Sequence, residues 1–558
     1  MNGKKWLALA LTLVLAIGLV ACGDASGGGS TDSGAATSGS SATSGGSSSE
    51  DVTAAVESAG VKSANSDPAN ATVTDETIVI GLASEPSTLW GAASGKQENE
   101  SQIITSTLMD TLVTVDKNTG DILPRLAKSW EWTDGTHCRF TLRDDVTMSD
   151  GSPLVADDVV YTVGVWKEYS GNNDTGSYIV GAEAQDEHTV TIEFTTAAPD
   201  FLAMLAWSNF GIVSEAEVEA AGGIEAVGRN PVIGSGKYRF KEWKNGQSIT
   251  VERNDGYWDS NWKGYFKTIT FTFTNDAAAR EMAVESGDAQ VAYDMPVSMA
   301  RTFAANPNVN TVIYPFGQVS HLWYNMGENA GATKDIRVRQ AIELALNFDA
   351  LAQVGSAGFA APALGYFPAE SKYYNQTYTT EERAVNIEKA KELLAEAGYA
   401  EGLELTALGT AESTDLYTVI QANLRDIGIT VKIDTPDIPQ FVMGANGGEY
   451  DIISVGELAD YRYPALLGFV RWANINTFWI GGPKWTNEEI ENLVYAAIEE
   501  PDEAKAKEML GQVEQLMKEN VMVSNIAAEM KATVMAGDLK GFTTIERGFM
   551  DPTNFYRG

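Results

Sequence analysis

The order of strand and helix signals in the second half of the chain constrains the fold most. HLWYNM (321–326) alternates like a strand, and IRVRQAIELALNFD (336–349) carries helical spacing. NIEKAKELLAEAGYAEG (386–402) predicts an amphipathic helix, with Ala390, Leu393, Leu394 and Ala397 on one face and Gly398 as its stop. LELTAL then reads as a strand, LYTVIQANLRDIG as a helix feeding VKIDTP, and YDIISVG as a strand before two helices, EEIENLVYAAIEE and AKAKEMLGQVEQLMKEN. Strand–helix–strand order over this many units predicts α/β layers. Upstream, TIVIGLASEPSTLW opens at residue 77 with a strand and ends at Trp90; ENESQIITSTLMDTLV is helical through Ile103, Ile104, Leu108 and Leu112. HTVTIEF (188–194), GKYRFKEW (236–243), SITVERN (248–254) and FKTITFTF (266–273) read as strands, and NDAAAREMAVESG as a helix closed by Gly287. At 558 residues the chain exceeds one ordinary core, so at least two domains are expected.

The first residues differ from the rest. MNGKK is basic, and WLALALTLVLAIGLVA (6–21) is apolar and short for a bilayer span, which predicts a signal peptide over 1–21. Leu19-Val20-Ala21-Cys22 resembles a lipobox, which implies lipidation of Cys22. Residues 22–75, dominated early by Gly, Ser, Thr and Ala, cannot bury enough to offset their ordering entropy and are expected to be a flexible tether. With only Cys22 and Cys138 present, lipidation of the first leaves no intrachain disulfide, and Cys138 sits in an alternating segment as an inert buried thiol. Lys and Arg number 39 against 76 Asp and Glu, a net charge of -37. Such a surface argues against nucleic acid and against adsorption to anionic lipid, and favours a monomer.

Little supports catalysis. GAASGKQ (91–97) has the wrong spacing for a phosphate loop, and Gln97 stands where a hydroxyl is needed. His137, His188 and His321 are the only histidines and lie far apart, so no metal or other cofactor is expected. No serine sits on a nucleophile elbow, and carboxylates are too numerous for any pair to inform. In FTLRDDVTMSDGSPLVADDVVYTV (140–163), Asp150-Gly151 suits a tight turn, Pro153 stiffens a helix entry, and Asp157 and Asp158 fall in the first turn of that helix. These aspartates read as architecture.

The same region carries a resemblance. Residues 120–163 resemble the signature of family 5 solute-binding proteins, the oligopeptide, dipeptide and nickel receptors of ABC importers. NPVIGSGKYRF (230–240), VERNDGYW (251–258), AREMAVESGDAQVAY (279–293), YNMGENAGATKDIRVRQAIELALNFD (324–349) and KAKELLAEAGY (389–399) are similar to further family segments, in order. Val155, Ser149 and Lys237 depart from the threonine, histidine and proline common there. The resemblance implies an α/β class II periplasmic-binding-protein fold: two lobes around a ligand cleft, with an extra subdomain in the first. It would place lobe I at 76–318 (subdomain about 110–230), lobe II at 319–525, and a return to lobe I at 526–558, with crossings near 318 and 526.

The expected role is that of a lipid-anchored receptor on the outer face of the cytoplasmic membrane. It would capture a solute, most simply a short peptide, and deliver it to ABC permease subunits. An oligosaccharide or other small solute is the alternative, and a surface sensor or adhesin without import ranks below both. GELADYRYPALLGF (456–469) resembles the loop in which peptide receptors hold an aspartate against the ligand ammonium, which implies that role for Asp460. Arg462 and Arg471, the latter beside Trp472, are candidates for the ligand carboxylate end, and Trp472 for a pocket wall. Glu85, Trp90, Trp323, Tyr324 and Asn325 are further candidate lining residues, with ordinary packing as the alternative for the aromatics.

Overall fold

The computed structural model describes residues 71–558 apart from 92–97, 117–119, 170–177, 196–200, 459–483, 546–547 and the single positions 230, 232, 305, 307, 370, 486 and 501. Cys22, Asp460, Arg462, Arg471 and Trp472 therefore lie outside the described residues. Chain order gives β1 (Thr77–Leu82); a short pair, β2 (Val113–Val115) and β3 (Ile122–Pro124); and a four-stranded group, β4 (Ala127–Trp132), β5 (His137–Leu142), β6 (Ile179–Asp186) and β7 (Thr189–Phe194). There follow β8 (Tyr238–Lys244), β9 (Ser248–Arg253), β10 (Thr268–Phe273), β11 (Val291–Met295), β12 (Val309–Tyr324), β13 (Leu403–Leu408), β14 (Ile429–Asp434), β15 (Ile452–Leu458) and β16 (Val523–Ala536).

One mixed sheet runs β14-β13-β15-β12-β16-β11-β1-β10-β9-β8. Each half carries parallel strands, β10–β1–β11 on one side and β14–β13–β15 on the other. Apolar side chains facing the core hold it: Ile78, Ile80, Ile269, Phe271, Ile249 and Val251 in one half, and Leu405, Ala407, Ile429, Ile452 and Ile453 in the other, all at most 1% exposed. The two halves make a bilobed α/β fold, as the resemblance implies.

Helices form where the sequence stops and starts them. Asp276 caps the helix Ala277–Ser286 by accepting from Ala279 N, and Gly287, at φ 83°, ends it. Asn386 caps Ile387–Glu396 through Lys389 N, and Ala390 and Leu394 are its buried face. Two readings differ. The helix Asn99–Leu108 stops short of Leu112, because Gly236 N and Ile212 N bind Leu108 O and Asp110 O outside it. Strand β12 begins twelve residues before the expected HLWYNM strand, at Val309. Pro315 and Gly317 hid the continuity: residues 316–318 form a bulge opposite Glu529 alone, and Gly317 takes φ 75° there.

The stretch from Phe140 to Val163 is built as the sequence indicates. Arg143 grips Asp145 with two bonds (2.8 and 2.6 Å), and Asp150 Oδ1 accepts from Ser152 N and Oγ in the turn. The helix Ala156–Tyr169 follows Val155, which brings no capping hydroxyl. Asp158 Oδ2 compensates by accepting from Val155 N at 2.9 Å. Cys138 is buried and unpaired, and burial pushes its thiol up to about 12.

Candidate functional site

Strand registers locate where the two halves of the sheet meet. Met295 pairs with Ala532 and Val291 with Met535, so β11, with its parallel neighbours β1 and β10, runs toward Lys531 of β16. Leu408 of β13 pairs with Ile453, Ile453 with Trp323, and Glu457 with Val319. The chain leaving β13 therefore heads for the bulge of β12 from the opposite side. Both halves aim the carboxyl ends of their parallel strands at one short stretch, Pro315–Val319 with Ala528–Lys531. In open α/β sheets that edge is where ligands bind.

Polar groups at this floor are held firmly. Lys531 Nζ donates to Asp294 Oδ1 at 2.8 Å and lies 4.9 Å from the centre of the Phe316 ring. Burial disfavours the Lys531 ammonium, but Asp294, Glu529 and Glu412 more than offset this and raise its pKa. Two residues along β16, Glu529 Oε1 accepts from Ser320 Oγ of β12 at 2.9 Å. Asp294 itself sits at φ 53°. Its carbonyl accepts from Arg280 Nη2 (3.0 Å), while Arg280 Nη1 donates to the carbonyls of Thr274 and Asn275 (2.6 and 2.9 Å). One guanidinium thus ties together the carboxyl ends of β10 and β11. In the other half, buried Tyr417 donates to Leu408 O at the end of β13 and accepts from Ser454 N near the start of β15, tying the two strands together. Glu412 lies exposed in the 3-10 turn Ala411–Ser413 beyond β13.

The candidates read from the sequence are distributed differently. Glu85 and Trp90 follow β1 in sequence. Glu85 Oε1 accepts from Trp243 Nε1 (2.6 Å) and Gly246 N (3.0 Å), bracing the β8–β9 hairpin, and Trp90 is fully buried. Trp323, Tyr324 and Asn325 close the far end of β12, which places Trp323 roughly 17 Å from Gln318 at about 3.3 Å per residue. Tyr324 Oη shares a hydrogen bond with Ser524 Oγ, and Asn325 Nδ2 donates to the carbonyls of Gly448 and Tyr450. Asp294, Glu412, Glu529 and Lys531 escaped the sequence reading. The one signal was a lone lysine in the apolar strand sequence IAAEMKATVM (526–535). Among the described residues, no group of three or more His, Cys, Asp or Glu is arranged to hold a metal ion, and no helix is long and apolar enough to cross a membrane.

The family model described as "Bacterial extracellular solute-binding proteins, family 5 Middle" matches residues 121–469, more than half of the chain. The chain belongs to that family. Family 5 proteins are non-catalytic transport receptors. This member is 27% identical over 475 residues to the dipeptide-binding protein of Escherichia coli, covering 78% of this chain and 86% of that one. To the periplasmic oligopeptide-binding protein OppA of Escherichia coli it is 24% identical over 531 residues, 88% and 94% of the two chains. Its fold matches the substrate-binding protein CtaP of Listeria monocytogenes with a TM-score of 0.76 at 22% identity, covering 87% of this chain and 100% of that one. DppA of Helicobacter pylori, solved with the peptide STSA, matches at 0.72 with 22% identity, over 86% and 98%.

Proposed function

We propose that this family 5 protein is a lipoprotein receptor that captures short peptides by lobe closure and delivers them to an ABC permease. The observation that carries the proposal is the convergence of both sets of strand ends on one floor built from two crossing strands. A ligand seated there touches both halves at once, and its binding favours the closed arrangement. Peptide as the solute is supported by the relatives, whose names include dipeptide, oligopeptide and murein peptide receptors. Partner changes along the two long strands support crossings near 318 and 526: β12 acquires β15 at Gln318, and β16 acquires β11 a few residues later, at Ala532. In this reading Cys22 carries the lipid and residues 22–75 the tether, on the outer face of the cytoplasmic membrane. Asp460 takes the peptide ammonium, Arg462 or Arg471 the carboxylate, and Trp472 a pocket wall.

Calorimetric titration with alanine peptides of two to six residues tests this. At least one length should bind, N-acetylation should weaken it about tenfold or more, and Asp460→Ala should lose a similar factor. Binding that ignores both the acetyl group and Asp460→Ala contradicts the anchor; no binding at any length contradicts a peptide receptor of broad tolerance.

A further inference from the structure

The floor presents a charged face. Glu529 and Lys531 stand two residues apart on β16 and so point to the same side of the sheet. Asp294, Phe316 and Ser320 meet them there: Lys531 Nζ is 2.8 Å from Asp294 Oδ1 and 4.9 Å from the centre of the Phe316 ring, and Ser320 Oγ donates to Glu529 Oε1 at 2.9 Å. The bulge of β12 lies opposite Glu529 and takes the regular ladder away from it. The Lys531 side chain is 26% exposed and that of Asp294 34%, so a solute on the floor can reach both. An ammonium has three protons, and among the described residues only Asp294 accepts one.

The charges here do not balance. Asp294 neutralises Lys531, whereas half-buried Glu529 is held by a hydroxyl and has no ion-pair partner among the described residues. Arg280 lies behind Asp294, 4% exposed, and donates to the carbonyls of Thr274, Asn275 and Asp294, so it meets no solute. The surplus of negative charge is felt at Lys531, whose pKa is raised in spite of its burial, with Asp294 and Glu529 among the causes.

We propose that Asp294, Glu529 and Lys531 set the charge preference of the solute site, so that the floor admits neutral and basic peptide side chains and rejects acidic ones. The inference rests on the peptide reading above and names the class of peptide that the same site takes. Lys531 offers its remaining protons to a neutral acceptor such as a peptide carbonyl. A basic side chain meets the unpaired charge of Glu529. An acidic side chain adds a further carboxylate around a lysine that Asp294 has already neutralised, a like-charge placement that discriminates against it. Asp294 decides the outcome, because without it the ammonium is left to pair with a carboxylate of the solute.

Calorimetric titration with charge-substituted peptides tests this. The host is the alanine peptide that binds most tightly, and each of its alanines in turn is replaced by lysine or by glutamate. At one position or more, the wild type should bind the glutamate peptide about tenfold or more weakly than the host, and the lysine peptide at least as tightly. Asparagine tolerates the φ of 53° at position 294, so Asp294→Asn keeps the backbone and should shrink the glutamate penalty to about threefold or less. Glu529→Gln keeps the acceptor for Ser320 and should act in the same direction, whereas Lys531→Met should deepen the penalty. Each penalty is read as a ratio to the host peptide on the same variant, so a general loss of affinity does not imitate it. Glutamate peptides that match the host at every position, or a penalty that both Asp294→Asn and Glu529→Gln leave unchanged, would overturn the charge preference and leave the peptide reading standing. Failure of every alanine, lysine and glutamate peptide to bind would overturn the peptide reading and the preference together.

Discussion

Asp110→Ala is expected to cost about 3–5 kcal/mol of stability, read from urea unfolding near neutral pH. Asp110 is fully buried and accepts from five donors. Its Oδ1 takes Arg125 Nε at 2.9 Å, Arg125 Nη2 at 2.6 Å and Tyr257 Oη at 3.0 Å. Its Oδ2 takes Trp258 Nε1 at 2.9 Å and Ser235 Oγ at 3.2 Å. Truncation leaves a largely buried guanidinium without its counter-charge and three neutral donors without an acceptor. Asp110→Asn keeps the shape and one acceptor, and should fall between. A loss below about 1 kcal/mol for Asp110→Ala would show that water or Arg125 rearrangement replaces the hub. The contacts also explain a motif: in VERNDGYW (251–258), Tyr257 and Trp258 are anchoring donors for this carboxylate, and Arg253 braces the carbonyls of Thr74 and Gly264.

Glu514→Gln is expected to do the opposite and stabilise the protein as pH rises. Glu514 is fully buried on the helix Glu503–Glu519, and its Oε2 accepts from Thr377 Oγ1 at 2.8 Å. Burial drives its pKa from 4.5 to about 8, against the lowering pull of hydrogen bonds from Thr377 and Asn375 and of the Lys507 charge. Between those values the folded chain holds a proton that the unfolded chain has released, so stability falls as pH rises from 4.5 to about 8 and is flat above. Glutamine keeps the acceptor for Thr377 and removes the ionisation. Its advantage should be absent near pH 4 and reach on the order of 3 kcal/mol above pH 8, measured by urea unfolding at both ends. An advantage of equal size at every pH would locate the effect in packing and not in the proton.

Much of the architecture was legible because it is local. Asp276, Asn386 and Gly287 stop and start helices through groups within a few residues of themselves, and Asp158 replaces a missing capping hydroxyl three positions away. Alternation marked β5, β7, β9 and β10, whose inward residues face one core. Strand β12 was read too short because a proline and a glycine imitate a strand end, and only pairing with β16 shows that the chain continues. The floor was not legible for a related reason. Asp294 and Lys531 are 237 positions apart, and Glu412 lies on a third element. Each is an ordinary charged residue until sheet order brings the strand ends together. Trp323 and Tyr324 attracted attention as aromatics, yet 2% and 0% exposure shows how easily a core position resembles a pocket wall in sequence.

The most direct test of the account is mass spectrometry of whatever denaturation releases from the purified protein. The account predicts a mixture of short peptides, present in the wild type and lost with Asp460→Ala. A single sugar or other non-peptide solute in their place would contradict the peptide assignment, whatever the lobes do around it.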